Sequence, residues 1–467
     1  MADPQTYCVS TRLPVSKQQA FAYHERRGAL QRLTPPWESV SIERSDCSLT
    51  VGSRVVLRTS LFGLPLRWIA EHTEYDPPNR FADTQISGPF ASWDHSHHFH
   101  SVGNVESVGN GETSTLTDSI RYRLPVGAIG HFFGSGIARR KIESMFAYRH
   151  RITRDDLALV DSYPNEKQTI AISGSHGLVG SKMMTLLKLF GHETKRIVRG
   201  SPSVDSIAAW QNDQQANRLS EVDAVVHLAG EPIASRRWND EVKKRIRDSR
   251  VIRTRQLCES LARLDKKPRV LVCASATGIY GDRGDEILDE RSEPGSDFLA
   301  SVASEWESAC QPAIDAGIRV VSARFGLILS PHGGALQKML LPAKFAGGSL
   351  GSGKQWWSWI SLDDVLGAIY HVIMKSEIVG PINFVSQNPI TNADFARTLG
   401  RVLNRPAMFP APAFALRIAL GEMADALLLA STRIHATALE QSGYRYRFTD
   451  LEETLRYSLG RNRLKST

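Results

Sequence analysis

At 467 residues, 42% of them hydrophobic, the chain exceeds what one ordinary core holds and reads as about three globular domains. Its net charge of +8 comes from basic residues spread over several segments, among them Lys243–Arg245, Arg139–Lys141 and Arg149–Arg154; with no RNA-binding aromatic motif or zinc finger beside them, nucleic acid is not an expected partner. Five cysteines, Cys8, Cys47, Cys258, Cys273 and Cys310, are scattered, odd in number and without a CxxC pair, which argues against a disulfide scaffold and for reduced thiols in a cytoplasmic setting.

The first residues, MADPQTYCVST, have neither the basic start nor the apolar core of a signal peptide. After an opening strand and a short helix near Ser16 to Arg27, strand-like runs recur at Ser53–Leu61, Arg67–Tyr75, His95–Val102 and Thr113–Leu124. A long helix from Val126 to His150 closes the segment. Its apolar residues Ile129, Phe132, Phe133, Ile137, Ile142, Met145 and Phe146 return at about helical spacing, while Gly127, Gly130, Gly134 and Gly136 loosen its first half. A curved antiparallel sheet gripping one helix predicts an apolar cavity in residues 1–155, and with it an apolar ligand. His95, His97, His98 and His100 stand at strand spacing and raise the question of a metal, but no acidic partner or second cluster is visible beside them, so none is expected.

A linker with Asp161, Ser162, Tyr163, Pro164 and Asn165 leads into a stretch, Lys167 to Ser201, with the pattern of a βαβ unit. The apolar run Ile170-Ala171-Ile172 precedes a glycine turn; a helix with Leu186, Leu187 and Leu189 follows, then Gly191 and a second strand over Thr194–Val198. Gly174, Ser175, Gly177, Leu178, Val179 and Gly180 let the backbone turn tightly and set a helix N-terminus against a pyrophosphate. At the tip of the second strand an NAD site places Asp or Glu, whereas this chain has Val198, Arg199, Gly200 and Ser201; Arg199 suits a 2′-phosphate, so NADP(H) is the expected cofactor. Asp223–Gly230 reads as the next buried strand, with Leu228, Ala229 and Gly230 along the cofactor, and Arg250 on a basic helix offers a second guanidinium. Apolar strands such as Val270–Ala274 and Val320–Phe325 alternate with helices to about Arg405. The predicted fold is therefore α/β: a doubly wound parallel Rossmann sheet over residues 168–405, preceded by an α+β helix-grip domain and followed by a small helical domain over 406–460. The longest apolar run, Pro412–Ala430, is broken by Arg417, Glu422 and Asp425 and is too polar for a membrane span.

Through HERRGALQRLTPPW (His24 to Trp37), GPFASWDHSHHF (Gly88 to Phe99) and MFAYRH (Met145 to His150), the first segment resembles the START-like (SRPBCC) ligand-binding superfamily. From Ile170 onward the chain resembles extended short-chain dehydrogenases of the epimerase/dehydratase class. More narrowly, it is similar to atypical, cell-division-inhibitor-like epimerase-family proteins that end in a domain of unknown function. The phrases LAGEPI (Leu228 to Ile233), RRW (Arg236 to Trp238), SATGIYG (Ser275 to Gly281), DFLA (Asp297 to Ala300), GGALQKMLLP (Gly333 to Pro342), GSGKQWWSWISLDD (Gly351 to Asp364) and LGEMA (Leu420 to Ala424) carry that resemblance. It implies NADP(H) binding, with Arg199, Leu228, Ala229 and Arg250 as matched contacts.

The catalytic apparatus departs from that family. Ordinary members use Tyr-x-x-x-Lys, in which the lysine lowers the tyrosine pKa and the phenol exchanges a proton with a substrate hydroxyl. Here no tyrosine lies between Tyr280 and Tyr370 and no lysine between Lys267 and Lys338; by register Phe298 and Val302 take the two places. Ser275 is the one recognisable member, and Tyr280 is the nearest phenol, so these two are the catalytic candidates. The one match in letters, Tyr163 to Lys167, contains Pro164 and precedes the first strand. By resemblance Glu231, Arg236, Lys354 and Gln355 stand near the substrate mouth, Trp356, Trp357 and Trp359 form a wall or core, and Asp363-Asp364 opens a helix. The expectation is an atypical NADP(H)-dependent oxidoreductase or epimerase-like protein acting on an unknown small molecule; the alternative is a non-catalytic NADP(H)-dependent sensor or cell-division-related regulator.

Overall fold

The computed structural model describes residues 3–61, 64–102, 112–125, 127–164 and 166–461. It divides into two compact units, one built on Met1–Glu166 and the other on Lys167–Leu187 and His192–Ser458.

The first unit is a seven-stranded antiparallel sheet. Its strands are β1 (Gln5–Leu13), β2 (Ser41–Ser45), β3 (Arg54–Leu61), β4 (Leu64–Asp76), β5 (Arg80–Ser87), β6 (Ser92–Val102) and β7 (Thr113–Arg123), in the order β1-β7-β6-β5-β4-β3-β2. Helices α1 (Lys17–Glu25) and α2 (Ala29–Leu33) connect β1 to β2, and α3 (Gly127–Asp161) follows the last strand. Alternation builds the inner face: Ser114, Leu116, Asp118, Ile120 and Tyr122 of β7 are buried while the residues between them are more exposed. Ser16 caps α1 in a capping box with Gln19. Trp93, Ile120 and Tyr122 of the sheet pack on Ile142 and Phe146 of α3, a helix-grip arrangement whose buried side chains each contribute about 1.5–3 kcal/mol.

Three expectations change here. Ile137 is 58% exposed and Ala138 takes its inward place, because the helix phase turns Ile137 to the outer side; the side chains of Ile129, Phe132 and Phe133 lie outside the described residues. Helix α3 continues eleven residues beyond His150, to Asp161. The interior is not lined by apolar groups alone, since Asp83 and Asp118 lie against His95 and His97, the acidic partners that the sequence had not revealed.

The second unit is a seven-stranded parallel sheet. Its elements in chain order are β8 (Thr169–Ser173), α4 (Leu178–Leu189), β9 (Glu193–Ile197), β10 (Ser206–Ile207), β11 (Ala224–His227), α5 (Asp240–Ala262), β12 (Val270–Ala276), α6 (Phe298–Ser308), β13 (Arg319–Phe325), α7 (Leu362–Met374) and β14 (Gly380–Phe384). Strand order is β10-β9-β8-β11-β12-β13-β14, so the winding reverses between β8 and β11. That reversal point is where doubly wound sheets open a ligand crevice at their carboxyl ends. The strands are near-continuous apolar runs, as burial on both faces requires: Ile170, Ala171 and Ile172 of β8 and Val225 and Val226 of β11 are inaccessible to solvent. Residues 406–458 belong to this unit, where Phe409–Ala411 pairs with Gly347–Leu350 and Arg433–Ile434 with Ile287–Leu288.

Candidate functional site at the carboxyl edge of the parallel sheet

The glycine turn lies at the end of β8, beside the reversal of the sheet. Gly174 has φ +66°, and a side chain there would bring its Cβ within 2.8 Å of the Leu228 carbonyl on the neighbouring strand end. At Gly180 an added Cβ would stand 2.3 Å from the Gly174 carbonyl oxygen. The first turn of α4 therefore closes on the end of β8 only because both positions lack a side chain. Ser175 is buried in this turn, and Leu178 and Val179 begin the helix. A helix N-terminus reached by a close, side-chain-free backbone suits a phosphate, since unpaired N–H groups and the helix dipole both favour an anion.

A buried polar network holds the adjoining strand end in register. The Ser173 hydroxyl lies 2.6 Å from His227 Nδ1 and accepts from the Leu228 and Ala229 amides at 3.1 and 3.3 Å. On the other side of the ring His227 Nε2 lies 3.0 Å from Thr254 Oγ1, which also accepts from Trp306 Nε1 at 2.9 Å. Both ring nitrogens are satisfied when His227 is neutral with its proton on Nε2: Ser173 donates to Nδ1, and Thr254 accepts from Nε2 and from Trp306. Burial accordingly pushes His227 down to about 4. Leu228 and Ala229 are thus fixed by two side chains that sequence reasoning had not singled out.

The remaining cofactor candidates divide into two places. Gly230 lies against Arg250, whose guanidinium would stand 3.2 Å from a Cβ at that glycine; Arg250 donates to the Glu231 and Ile246 carbonyls, rests over the Trp306 ring at 5.1 Å, and is pulled by burial down to about 10. Arg199 follows β9 as an exposed residue, and no ion pair involves it among the described residues.

The catalytic candidates, Ser275 and Tyr280, are both buried. Tyr280 is completely buried. Its hydroxyl donates to Asn383 Oδ1 at 2.8 Å and accepts from Arg324 at 2.9 Å, and burial raises the phenol pKa against the lowering effect of Arg324. Ser275, 3% exposed, donates at 2.6 Å to Glu307, which forms a two-pronged ion pair with Arg324 at 2.8 and 2.9 Å. Both side chains therefore belong to one internal network across β12, β13, β14 and α6, shielded from solvent. Glu307, Arg324 and Asn383 complete it, and no motif in the sequence marks them.

Phe298 opens α6 and packs on Trp238 at 5.3 Å under the ammonium of Lys243, while Val302, one turn on, is buried. Phe298 packs in an apolar cluster with Val242, Ile246 and Met423, and neither it nor the buried Val302 carries an acid or a base. Trp357 and Trp359 are core residues; Trp356 is half-buried, donating to Asp285 under the Arg433 guanidinium. Gln355 is buried and donates to the Leu350 and Leu428 carbonyls, whereas Arg236 and Lys354 are exposed. Asp364 is buried and accepts from Ser361, Tyr444 and the Arg447 and Phe448 amides, tying α7 to the later segment; Ser361 provides the helix cap.

Comparison with known proteins gives three matches along the chain. Residues 13–146 match the family model described as polyketide cyclase / dehydrase and lipid transport, residues 170–384 that of the NAD dependent epimerase/dehydratase family, and residues 411–457 a domain of unknown function. An epimerase family protein of Mycobacterium bovis is 40% identical over 296 residues, covering 62% of this chain and 98% of the relative. The epimerase family protein SDR39U1 of Bos taurus is 34% identical over 292 residues, covering 62% and 98%. Among solved structures, the nucleoside-diphosphate sugar epimerase from Corynebacterium glutamicum has a TM-score of 0.76 at 33% identity, covering 98% of this chain and 91% of that one. Human SDR39U1 (isoform 2), solved with NADPH, has a TM-score of 0.58 at 29% identity, covering 62% and 99%.

Proposed function

We propose, for a chain that belongs to the epimerase family, that residues 168–405 bind NADP(H) and present it to an unknown small molecule. The observation that carries the reading is the side-chain-free turn at Gly174 and Gly180, a cradle that any Cβ would fill, at the point where the sheet reverses. Gly174, Ser175, Gly177, Leu178, Val179 and Gly180 would receive the pyrophosphate. Leu228, Ala229 and Gly230 would line the cofactor, held by Ser173 and His227. The exposed cation Arg199 would take the 2′-phosphate, and Arg250, fixed by carbonyls, would support the loop at Gly230. NADPH in the human relative supports the choice of cofactor. When bound, the nicotinamide supplies hydride exchange with a carbonyl or alcohol carbon.

The N-terminal unit, over residues 1–155, is the proposed site for an apolar small molecule, supported by its match to a lipid-transport family and the aromatic cluster beneath α3. Residues 406–460 are the proposed third functional segment. A second reading, a non-catalytic NADP(H)-dependent sensor, is favoured by two observations: Phe298 and Val302 offer no acid or base, and Tyr280 is completely buried.

Calorimetric titration with NADPH and NADH tests the cofactor assignment. A charge-assisted phosphate contact is worth about 1.5–3 kcal/mol, so Arg199→Ala should weaken NADPH by about 10- to 100-fold and NADH little. Equal losses for the two nucleotides, or tighter NADH binding by the unaltered protein, would overturn it. A screen of NADPH oxidation against carbonyl compounds separates enzyme from sensor.

A further inference from the structure

The inner face of the N-terminal sheet gathers a second set of ionisable groups, independent of the nucleotide site. On β6 the strand period turns His95 and His97 inward and leaves His98 and His100 on the opposite face. Register sets Asp83 of β5 opposite His95, and Asp118 of β7 opposite His97. Two imidazoles and two carboxylates therefore share one patch on three adjacent strands. Of these, His95, His97 and Asp118 are only 4%, 8% and 2% exposed.

Their atoms converge. His95 Nδ1 lies 3.3 Å from Asp83 Oδ2, and its Nε2 lies 3.5 Å from Asp118 Oδ1. His97 Nδ1 lies 2.5 Å from the same Asp118 oxygen. From α3, His150 donates through Nε2 to the other oxygen, Asp118 Oδ2, at 2.9 Å. Despite this proximity, His95 Nε2, His97 Nδ1 and Asp118 Oδ1 have no aligned hydrogen-bond partner among the described residues. Contacts this close but poorly aligned leave three buried polar atoms incompletely satisfied, and an occupant between them would satisfy all three. The guanidinium of Arg149 is turned elsewhere, donating to the Leu33 carbonyl and lying over the Phe146 ring at 5.1 Å.

Two imidazole nitrogens, 3.5 and 2.5 Å from one carboxylate oxygen, supply the donor types of a divalent first-row transition ion. We propose that His95 Nε2, His97 Nδ1 and Asp118 Oδ1 bind such an ion inside the N-terminal unit. Asp83 accepts the remaining ring proton of His95, the outer carboxylate that fixes the tautomer of a metal-bound histidine, and His150 holds the ligating carboxylate of Asp118 from behind. Metal–nitrogen and metal–oxygen bonds of about 2.0–2.2 Å require neighbouring ligand atoms about 3.3 Å apart. The His95–Asp118 separation already meets this, and a small rotation of His97 provides the rest. Three protein ligands leave positions open to water or to a small molecule entering the interior, as in catalytic rather than closed structural sites. The carboxylate charge of Asp118, with that of Asp83 behind it, offsets the dication.

The test titrates metal-free, full-length protein with Zn²⁺ by calorimetry and with Co²⁺ by visible absorption, with circular dichroism to verify that each variant is folded. One equivalent is expected to bind with Co²⁺ ligand-field bands. It should persist in the His98→Ala/His100→Ala double variant, which removes only the outward pair, and be abolished by His97→Ala and by Asp118→Asn. Asp83→Asn should weaken it by about 10- to 100-fold. If His97→Ala or Asp118→Asn does not fold, Cu²⁺ electron paramagnetic resonance decides, with coupling to two imidazole nitrogens expected in the unaltered protein and in the double variant alike. No stoichiometric binding, loss of binding in His98→Ala/His100→Ala, or undiminished binding in folded His97→Ala would overturn the proposal.

Discussion

His227 shows how one residue can carry both stability and the geometry of a site. Buried between Ser173 and Thr254, it holds the strand end from which Leu228 and Ala229 extend. Burial holds its pKa at about 4, while an imidazole in the unfolded chain titrates near the usual 6.5. Between those values the unfolded state binds more protons than the folded one. Stability from this residue is thus complete above pH 6.5 and falls as the pH drops toward 4, by up to roughly 3 kcal/mol. His227→Gln should be less stable at pH 7.5, yet lose less further stability between pH 6.5 and 4.5 than the unaltered chain, measured by urea denaturation; equal slopes would contradict this. The glycines of the turn were legible as residues because their spacing after an apolar run has a mechanical meaning. The role of His227 was not, because a histidine closing an apolar strand carries no sign of the hydroxyls that meet its two ring nitrogens.

At the scale of elements, the two expected catalytic residues, Ser275 and Tyr280, share one buried network across β12, β13, β14 and α6. Tyr280→Phe should cost about 1–3 kcal/mol by leaving Arg324 and Asn383 short of a partner, with NADPH affinity unchanged. Glu307→Gln removes the charge paired with a nearly buried guanidinium and should cost about 3–5 kcal/mol, read as a lower denaturation midpoint. A loss of activity in Tyr280→Phe at undiminished stability would restore the phenol to catalysis. Strands β3, β4, β6 and β7 were visible through alternation and β-branched content, whereas β2 and β5 were not. Past His150, helix α3 buries Ile152 and Leu157 together with Thr153 and Asp156; Asp156 accepts from Arg32 and Tyr23, so a charged pair interrupts the apolar periodicity there. The same effect hid the acidic partners of His95 and His97. Asp83 belongs to the unrecognised β5, and Asp118 reads as an ordinary polar residue within an alternating strand until the register sets it opposite a histidine.

For the molecule as a whole, the expected phenotype is firm NADPH binding with little turnover of ordinary sugar nucleotides. A positioned acid or base contributes about 10²- to 10⁴-fold, and Phe298 and Val302 supply neither. Steady-state assays with UDP-sugars should therefore fall well below about 10 s⁻¹, and turnover at that median enzyme rate would mean that another residue donates the proton. The parallel sheet, the glycine turn and the loss of the tyrosine–lysine pair were all present in the amino-acid sequence, because each depends on local pattern: apolar runs, glycine spacing and a residue at a fixed offset. So was the helix-grip character of the N-terminal segment, through strand alternation followed by one long helix. What only the tertiary structure decided is which polar side chains meet. Tyr280 reaches Asn383 across 103 positions, and Asp118 receives His150 across 32, because strand order and register, rather than proximity in the chain, bring buried donors to their acceptors.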